Sequence, residues 1–243
     1  MKKRKKKRTK KPVHSQSESD ILDDIQFMAP SEEIHFECSC CGECCRNVEF
    51  SVMLEPFDLY RIAKFLRKKD ASISGIEDVI TRYAEISTIS DTDFPIFLVK
   101  TKGTRKECIF LKNGRCSIHE AKPRVCQLYP IGAWPNETLD GFSYFMASRK
   151  QHHFNGASMR IADWMDTNFD SECRAITLFD AKAISELIPI LCALKLAGVN
   201  RERIFESLIM FKYVYFDLDE PYIPQFQHNV DQLKNALLSL MGR

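Results

Sequence analysis

Five cysteines between positions 38 and 45 constrain this chain more than any other feature of its sequence. Cys38, Cys41 and Cys44 recur at every third residue, Cys45 follows directly, and Cys40 adds a fifth thiol. Two-residue spacing lets successive thiolates converge on one metal ion or cluster, as in zinc ribbons and in the C-x-x-C-x-x-C run of bacterial ferredoxins. The pattern therefore predicts a metal centre.

Further ligands are expected from three cysteines later in the chain, Cys108, Cys116 and Cys126. A short loop cannot enclose a metal cluster alone, and one four-coordinate site cannot use eight thiols. Both one centre and two centres are therefore compatible with the sequence. Sixty-two residues separate Cys45 from Cys108, so a centre that uses both segments is expected to contribute to folding.

The absence of targeting and membrane signals favours a reducing compartment. Residues 13–24 are mostly polar and contain no apolar core of a secretory signal. The longest apolar stretch, Leu187 to Leu194, is too short to cross a membrane. We therefore expect a cytoplasmic protein with no membrane partner, in which clustered cysteines are metal ligands or catalytic groups rather than disulfides.

Glycine spacing excludes several enzyme classes. The nine glycines lie far apart along the chain, whereas the dinucleotide fingerprint, the Walker loop and the nucleophile elbow all need glycines two to five residues apart. The H-E-x-x-H zinc motif is also missing from the sequence. A nucleotide-dependent enzyme of a familiar kind is not expected.

Charge is distributed very unevenly. Lys2 to Lys11 holds nine of the 35 basic residues and no acid, so the remainder of the chain carries a net charge of −7. Such a run repels itself and buries no apolar surface, and residues 1–33 are predicted to be a disordered basic tail and linker. The tail could bind nucleic acid through counterion release, or it could be a solvated tail without a partner.

Hydrophobic periodicity predicts a mainly α fold with a small β-hairpin, an α+β body organised around a cysteine-ligated metal centre. One helix starts at Pro56, and a second is capped by Ser74 and Glu77. Three further helices are predicted: a short one that carries Ile161, Trp164 and Met165, and two at residues 181–197 and 200–213. Residues 34–133 form the predicted metal-binding region, and residues 134–243 a helical region packed on it.

The last helix has the clearest pattern. Its apolar residues step by four and three along one face, namely Phe226, Val230, Leu233, Leu237 and Leu240. Core packing is favoured over a dimer seam because sustained coiled coils need more heptads. A monomer is therefore expected.

Asn113-Gly114 predicts a type I′ hairpin turn. This turn pairs Leu111 with Cys116 and, with ideal register, Cys108 with His119, which places Cys108 and His119 on one face and Cys116 on the other. Either His119 joins Cys108 at one site, or two sites flank the hairpin, or the pairing breaks at Cys116. His119 could equally cap a backbone carbonyl.

Basic residues lie near the cysteines in sequence and are expected to lower the thiol pKa values and offset cluster charge. These residues are Arg46, Lys106, Lys112, Arg115, Lys122 and Arg124. Two cysteines lie outside the cluster. Cys192 is predicted to be a small core residue of a helix, and Cys173 has no assigned role.

The cysteine segments resemble the YkgJ-type family, which is known for a C-x-x-C-x-x-C-C motif and labelled as zinc- or iron-chelating. The matching pieces are Phe36 to Arg46, Cys108 to Glu120 and Lys122 to Pro130. The resemblance implies as metal ligands Cys38, Cys41, Cys44, Cys45, Cys108, Cys116 and Cys126. Relatives often have an eighth cysteine after the Tyr-Pro pair. Here that ligand is absent, or its place is taken by one of Cys40, His119, His152 and His153.

Two functions are compatible with these sequence features. The first is an iron–sulfur protein, a redox or protein-modifying enzyme with a protein substrate; iron–sulfur is favoured over zinc because the C-x-x-C-x-x-C run suits a cubane cluster. A wider similarity reaches the flagellin lysine methylases, although this chain has no glycine-rich methyl-donor loop. The second is a structural zinc module whose basic tail binds nucleic acid or ribosomes.

Overall fold

The computed structural model describes residues 25–89, 94–147 and 156–241. About 48% of the described residues are helical and 20% lie in strands, so the predicted α+β class is confirmed. The predictions for the basic tail at residues 1–24 and for His152 and His153 lie outside the described residues. Strand β1 (Phe27–Met28) lies within the segment that was expected to be linker.

Strands are more numerous than the sequence predicted. The remaining strands are β2 (Glu33–His35), β3 (Met53–Leu54), β4 (Ala84–Ile89), β5 (Phe94–Val99), β6 (Thr101–Lys102), β7 (Glu107–Cys108), β8 (Leu111–Lys112), β9 (Arg115–Cys116), β10 (Ile131–Pro135), β11 (Phe142–Met146) and β12 (Ser158–Arg160). The expectation of a single small hairpin was therefore wrong. Most of these strands have two or three residues, too few to give a visible period-two pattern.

Among the described residues the strands form five small antiparallel sheets. Two sheets have three strands, in the orders β1-β11-β10 and β3-β5-β4, and three have two strands, β2-β12, β6-β7 and β8-β9. In the second three-stranded sheet β5 is central and mostly buried, since it pairs with β3 on one edge and β4 on the other.

Helices supply most of the body. The α-helices are α1 (Pro56–Arg67), α2 (Ile76–Tyr83), α3 (Arg124–Leu128), α4 (Ile161–Asn168), α5 (Ser171–Leu196), α6 (Arg201–Ile209) and α7 (Tyr222–Met241). Short 3-10 turns occupy Glu43–Cys45 and His119–Ala121, and a π-helical turn, Met210–Val214, follows α6.

The start of α1 agrees with its prediction, since Pro56 occupies the first turn. The predicted cap of α2 was wrong. Gly75, not Ser74, precedes the first helical residue, and the acid that closes this turn is Asp78 rather than Glu77. Asp78 Oδ2 accepts hydrogen bonds from the Ser74 backbone N–H and hydroxyl, both at 2.7 Å.

Helix α5 begins ten residues earlier than predicted. Asp170 caps its N-terminus by accepting a hydrogen bond from the Cys173 backbone N–H at 2.7 Å. Gly198, at φ +70°, follows its C-terminal end as expected. The predicted helix at residues 200–213 is α6 followed by the π-helical turn.

Three apolar clusters form the core of the described residues. The first surrounds α1 and β5, and Cys45, Cys108, Cys116 and Cys126 belong to it or pack against it. The second joins α3, α4 and β10 around Leu128, Ile131 and Met165. The third packs the C-terminal halves of α5 and α7 around residues such as Leu187, Leu194 and Leu237.

The prediction that Cys192 is a core residue was wrong, because its side chain is exposed. Helix α5 buries the face that carries Ala183, Leu187 and Leu194. Cys192 is a sequence neighbour of apolar residues but lies on another face, since only residues three or four apart share a helix face. None of the described helices is both long and apolar enough to span a membrane.

The buried stripe of α7 generates a stability prediction. All five residues of the predicted stripe are buried, and Leu237 is completely inaccessible. Leu237→Ala should lower the free energy of unfolding by about 2–5 kcal/mol because it leaves a core cavity.

Leu238 provides a matched control on the same helix, since 45% of it is exposed. Leu238→Ala should change stability by less than about 1 kcal/mol. Denaturant unfolding of both variants measures the difference. Equal effects of the two substitutions would contradict the assignment of this face to the core.

Candidate metal centre

The cysteine-rich loop is held against the turn of the β8-β9 hairpin. Gly42, at φ +73°, lies so close to this turn that an added Cβ would stand 2.6 Å from the Gly114 carbonyl oxygen. Only glycine fits both the left-handed backbone and this approach. Directly after it, the 3-10 turn begins as the Cys45 N–H donates to the Gly42 carbonyl at 3.0 Å. The segment that carries Cys44 and Cys45 therefore has a defined position.

The hairpin agrees with its predicted turn. Asn113 and Gly114 both have positive φ, at 50° and 75°, as a type I′ turn requires. The predicted pairs Leu111–Cys116 and Lys112–Arg115 are present. This part of the prediction is confirmed.

The predicted pairing of Cys108 with His119 was wrong. Cys108 pairs with Thr101 in the β6-β7 sheet, and the exposed His119 begins a 3-10 turn. One more backbone bond, from the Ser117 N–H to the Phe110 carbonyl at 2.9 Å, follows the ladder before the chain turns away. The pairing therefore ends after Ser117, one residue beyond the break at Cys116 that was one of the three arrangements left open.

Helix α3 positions Cys126, and hydrogen bonds from α1 hold its start. The Arg124 backbone N–H donates to Asp58 Oδ1 at 2.9 Å. Arg61 donates to the Lys122 carbonyl at 2.9 Å and also contacts the Asp58 carboxylate at 3.2 Å. Two residues of α1 therefore fix the backbone on which the Cys126 side chain stands.

The buried Arg124 side chain binds both Glu55 and strand β10. It donates to both carboxylate oxygens of Glu55, at 2.9 Å from Nε and 2.5 Å from the terminal nitrogen. A third donor reaches the Ala133 carbonyl of β10 at 2.8 Å. Bidentate binding of this kind is specific to the planar guanidinium. We call Glu55, Asp58, Arg61 and Arg124 the Arg124 network.

Asp58 is the most constrained acid of this network. Its carboxylate is buried, and it accepts backbone hydrogen bonds at Glu55 and Arg124. Burial raises its pKa to about 6, Glu55 raises it as well, and Arg61 and the two backbone donors oppose the shift. The sequence reasoning did not find this residue. An acid two residues after Pro56 is an ordinary first-turn residue, and no local pattern shows its contact with residue 124.

The structure brings five thiols from separate segments into one neighbourhood. Cys44 Sγ and Cys45 Sγ lie 4.0 Å apart. The contact with Cys44 and burial raise the pKa of the Cys45 thiol, and Cys108 and Cys126 raise it further by charge repulsion. Burial raises the pKa of Cys126 well above its ordinary value, with Cys108, Cys44 and Cys116 contributing. We call Cys44, Cys45, Cys108, Cys116 and Cys126 the inner thiol group.

Cys38, Cys40 and Cys41 lie on the exposed side of this group. Burial, with contributions from Cys40 and Cys44, raises the pKa of the Cys38 thiol. Cys38 is therefore near enough to interact with Cys44. The Cys41 carbonyl accepts a hydrogen bond from the Arg46 side chain at 3.3 Å, which connects the start of the loop to the residue that follows Cys45.

The expectation that nearby cations lower the thiol pKa values holds for Lys122, but the net pKa shifts of the thiols are upward. Lys102 and Lys122 act to lower the pKa values of Cys108 and Cys116, but burial dominates and raises the pKa of both thiols. Three of the expected cations bind carboxylates instead: Arg46 pairs with Glu43 and Glu107, Lys106 pairs with Glu49, and Arg124 pairs with Glu55. Much of the expected positive charge is therefore paired with carboxylates, and Lys102 and Lys122 act on the thiols without reversing the effect of burial.

Cys173 belongs to a different environment. It is buried in the second apolar cluster at the start of α5. Burial raises its pKa to about 12, and its charged neighbours are Arg61, Asp170 and Asp58 rather than other thiols. Together with the exposed Cys192, it lies apart from the inner thiol group.

The donor chemistry of the inner thiol group fits zinc or iron, because both metals take thiolate ligands in proteins. Within the described residues, no three cysteine, histidine, aspartate or glutamate side chains already stand as a group that could hold a metal ion. The sulfur atoms therefore lie in one region without forming a complete ligand set, and metal binding would require the cysteine side chains to move closer together.

These features define a cysteine-rich domain built from three chain segments. Residues 37–146 match the family model CxxCxxCC, whose description is "putative zinc- or iron-chelating domain". This match confirms the resemblance of the cysteine segments that was seen in the sequence. This range includes every cysteine except Cys173 and Cys192. No curated protein and no solved structure matches the chain.

The Arg124 network generates a prediction about stability. Arg124→Met should lower the free energy of unfolding by about 3 kcal/mol, because it leaves the mostly buried Glu55 carboxylate without its cation. Chemical denaturation under reducing conditions measures this loss.

The Arg67–Asp219 pair supplies the control, since it has the same bidentate form but Asp219 is 76% exposed. Arg67→Met should cost no more than about 1 kcal/mol. A loss at Arg124 as small as the loss at Arg67 would show that the network does not hold the two segments together.

Proposed function

We propose that the CxxCxxCC domain binds a metal centre through Cys38, Cys41, Cys44, Cys45, Cys108, Cys116 and Cys126. The observation that carries this proposal is the convergence of thiols from residues 44–45, from the strands at Cys108 and Cys116, and from α3. Sequence-distant thiols seldom gather in a reduced protein unless they serve a metal or a redox reaction.

Electrostatics supports a cation in this position. Each inner thiol with a raised pKa resists ionisation because of burial and, for most of them, because another sulfur stands nearby. A metal cation removes both penalties at once, since it compensates the thiolate charges and displaces their protons. Ionised thiols in the inner thiol group are therefore more stable with a bound cation than without one.

We favour an iron–sulfur cluster over zinc. The run Cys38, Cys41 and Cys44 has the spacing that suits a cubane, whereas zinc usually takes paired C-x-x-C units. A bound cluster would supply one-electron transfer, which suits a redox or protein-modifying enzyme. The chain's own residues would bury one side of the centre through Cys108 and Cys126 and leave the side of Cys38 and Cys41 open to solvent.

The test compares three serine substitutions in protein purified without oxygen. Cys126→Ser should remove the metal and lower the melting temperature. Cys173→Ser should lower stability but retain the metal, because that thiol is buried outside the inner thiol group. Cys192→Ser should change neither quantity, because the thiol is exposed on α5. Metal analysis and thermal melts provide the two measurements.

The visible spectrum then distinguishes the two metals. Brown protein with broad visible absorption and iron in metal analysis supports the cluster, and colourless protein with stoichiometric zinc supports the structural alternative. Wild-type protein that contains neither metal, with Cys126→Ser indistinguishable from it, would contradict metal binding altogether.

A further inference from the structure

Residues 38–45, which we call the cysteine loop, have few apolar contacts that could hold them in place. The nearest buried side chains on either side are Phe36 and Val48. The 3-10 turn at Glu43–Cys45, which the structure describes in full, contains no buried residue, although the half-buried Cys45 packs against the first apolar cluster. Apolar burial is the main force that fixes a segment on a protein. Polar contacts therefore supply much of what positions this loop.

Arg46 directly follows the cysteine loop and contacts it on one side. Its Nη1 donates to the Cys41 carbonyl at 3.3 Å and to Glu43 Oε1. On the other side its Nε donates to Glu107 Oε1 at 3.2 Å. The side chains of Arg46 and Glu107 are 19% and 20% exposed, so solvent screens this contact less than it screens a surface ion pair. One planar guanidinium thus connects the loop to a residue 61 positions later in the chain.

Glu107 lies on the strand that carries Cys108. The two residues form β7, which is held by its pairing with Lys102 and Thr101 of β6. Neighbouring side chains on a strand point to opposite faces. Cys108 belongs to the first apolar cluster, and Glu107 therefore points away from that cluster. The acid gives the loop a fixed point of attachment next to one of the proposed ligands.

The backbone after Arg46 is anchored independently of the Arg46 side chain. The Asn47 N–H donates to the Arg105 carbonyl at 2.9 Å, and the Val48 N–H donates to the Lys106 carbonyl at 3.1 Å. Arg105 also contacts Glu107 at 2.9 Å, so Glu107 keeps a cation when Arg46 is replaced. Loss of the Arg46 side chain should therefore release the cysteine loop without disturbing the rest of the fold.

We propose that Arg46 is a positioning residue of the metal centre, which acts through Glu107 to hold the cysteine loop against the strand of Cys108 and thereby slows the loss of bound metal. This inference rests on the proposed function, because it takes the loop and Cys108 as parts of one centre. The loop carries four of the seven proposed ligands, namely Cys38, Cys41, Cys44 and Cys45.

The position of this contact explains why it would control metal loss. Bound metal leaves only after the ligands of one side have detached. The loop has fewer apolar contacts than β7 or α3, so its ligands detach first. The contact between Arg46 and Glu107 then determines how often the loop opens.

The test measures how fast metal is lost from full-length protein purified without oxygen. The protein is mixed with the dye chelator pyridylazoresorcinol, which responds to both zinc and iron. Arg46→Met and Glu107→Gln should each lose metal about three- to fivefold faster than wild type, as expected when a partly buried ion pair is removed. The double variant should lose metal no faster than Arg46→Met, because the two residues act as one unit.

Arg82→Met is the matched control. Arg82 also joins a carboxylate and a carbonyl, at 3.4 Å to Asp70 and 2.9 Å to Ser72, but the segment that it holds contains no cysteine. This variant should lose metal at the wild-type rate. Arg46→Lys should restore part of the slow release, because an ammonium keeps the charge but not the planar fork of donors. The metal-free forms of Arg46→Met and Arg82→Met should melt at the same temperature.

Hydrogen exchange of metal-free protein tests the position of the loop separately. The Cys45 N–H, which donates to the Gly42 carbonyl, should exchange faster in Arg46→Met than in wild type. The Val48 N–H should exchange at the same rate in both, because its bond to Lys106 does not involve the Arg46 side chain.

Two results would overturn the proposal. The first is metal loss from Arg46→Met at the wild-type rate, and the second is unchanged exchange of the Cys45 N–H. A double variant whose rate is the product of both single effects would show that Arg46 does not act through Glu107. Wild type that contains no metal would contradict the proposed function instead, and hydrogen exchange would then still decide whether Arg46 holds the loop.

Discussion

The mostly buried ion pair between Arg124 and Glu55 connects the chain segments that carry the inner thiol group. Glu55 immediately precedes α1, Arg124 opens α3, and the third donor of the guanidinium holds β10 at the Ala133 carbonyl. A buried pair of this kind contributes little net stability compared with apolar residues of similar volume, but loss of one partner is costly. Its effect is to permit one arrangement of α1, α3 and β10, and that arrangement determines where Cys126 stands.

The inner thiol group lies beside the segments that this ion pair connects. Phe57 of α1 packs against both the first and the second apolar clusters, and Cys126 follows Arg124 by two residues. Cys108 and Cys45 reach the same place through the β6-β7 sheet and the loop anchored at Gly42. Because three segments meet there, a bound metal would join chain segments that the apolar core alone connects only indirectly. The centre and the fold are therefore expected to stabilise each other.

The sequence was informative where the signal is local. The Asn113-Gly114 turn, the start of α1 and the stripe of α7 each depend on a few neighbouring residues, and all three agree with the structure. The C-x-x-C-x-x-C-C run likewise led to a resemblance that the family model bears out over residues 37–146, because the spacing of the run is contained within eight residues.

Other predictions failed because the deciding contact is distant in sequence. Cys108 pairs with Thr101 rather than His119 since the chain turns away after Ser117, and this turn has no local signature. Arg124 was expected to act on the thiols, but it binds Glu55, a residue 69 positions away. Burial of the thiols, which raises their pKa values, also depends on packing that sequence spacing does not reveal.

X-ray absorption at the metal edge of the native protein, purified without oxygen, tests the central claim most directly. If the inner thiol group holds the metal, the first coordination shell should consist of sulfur at about 2.3 Å. A shell made only of oxygen or nitrogen at about 2.0–2.2 Å would contradict it.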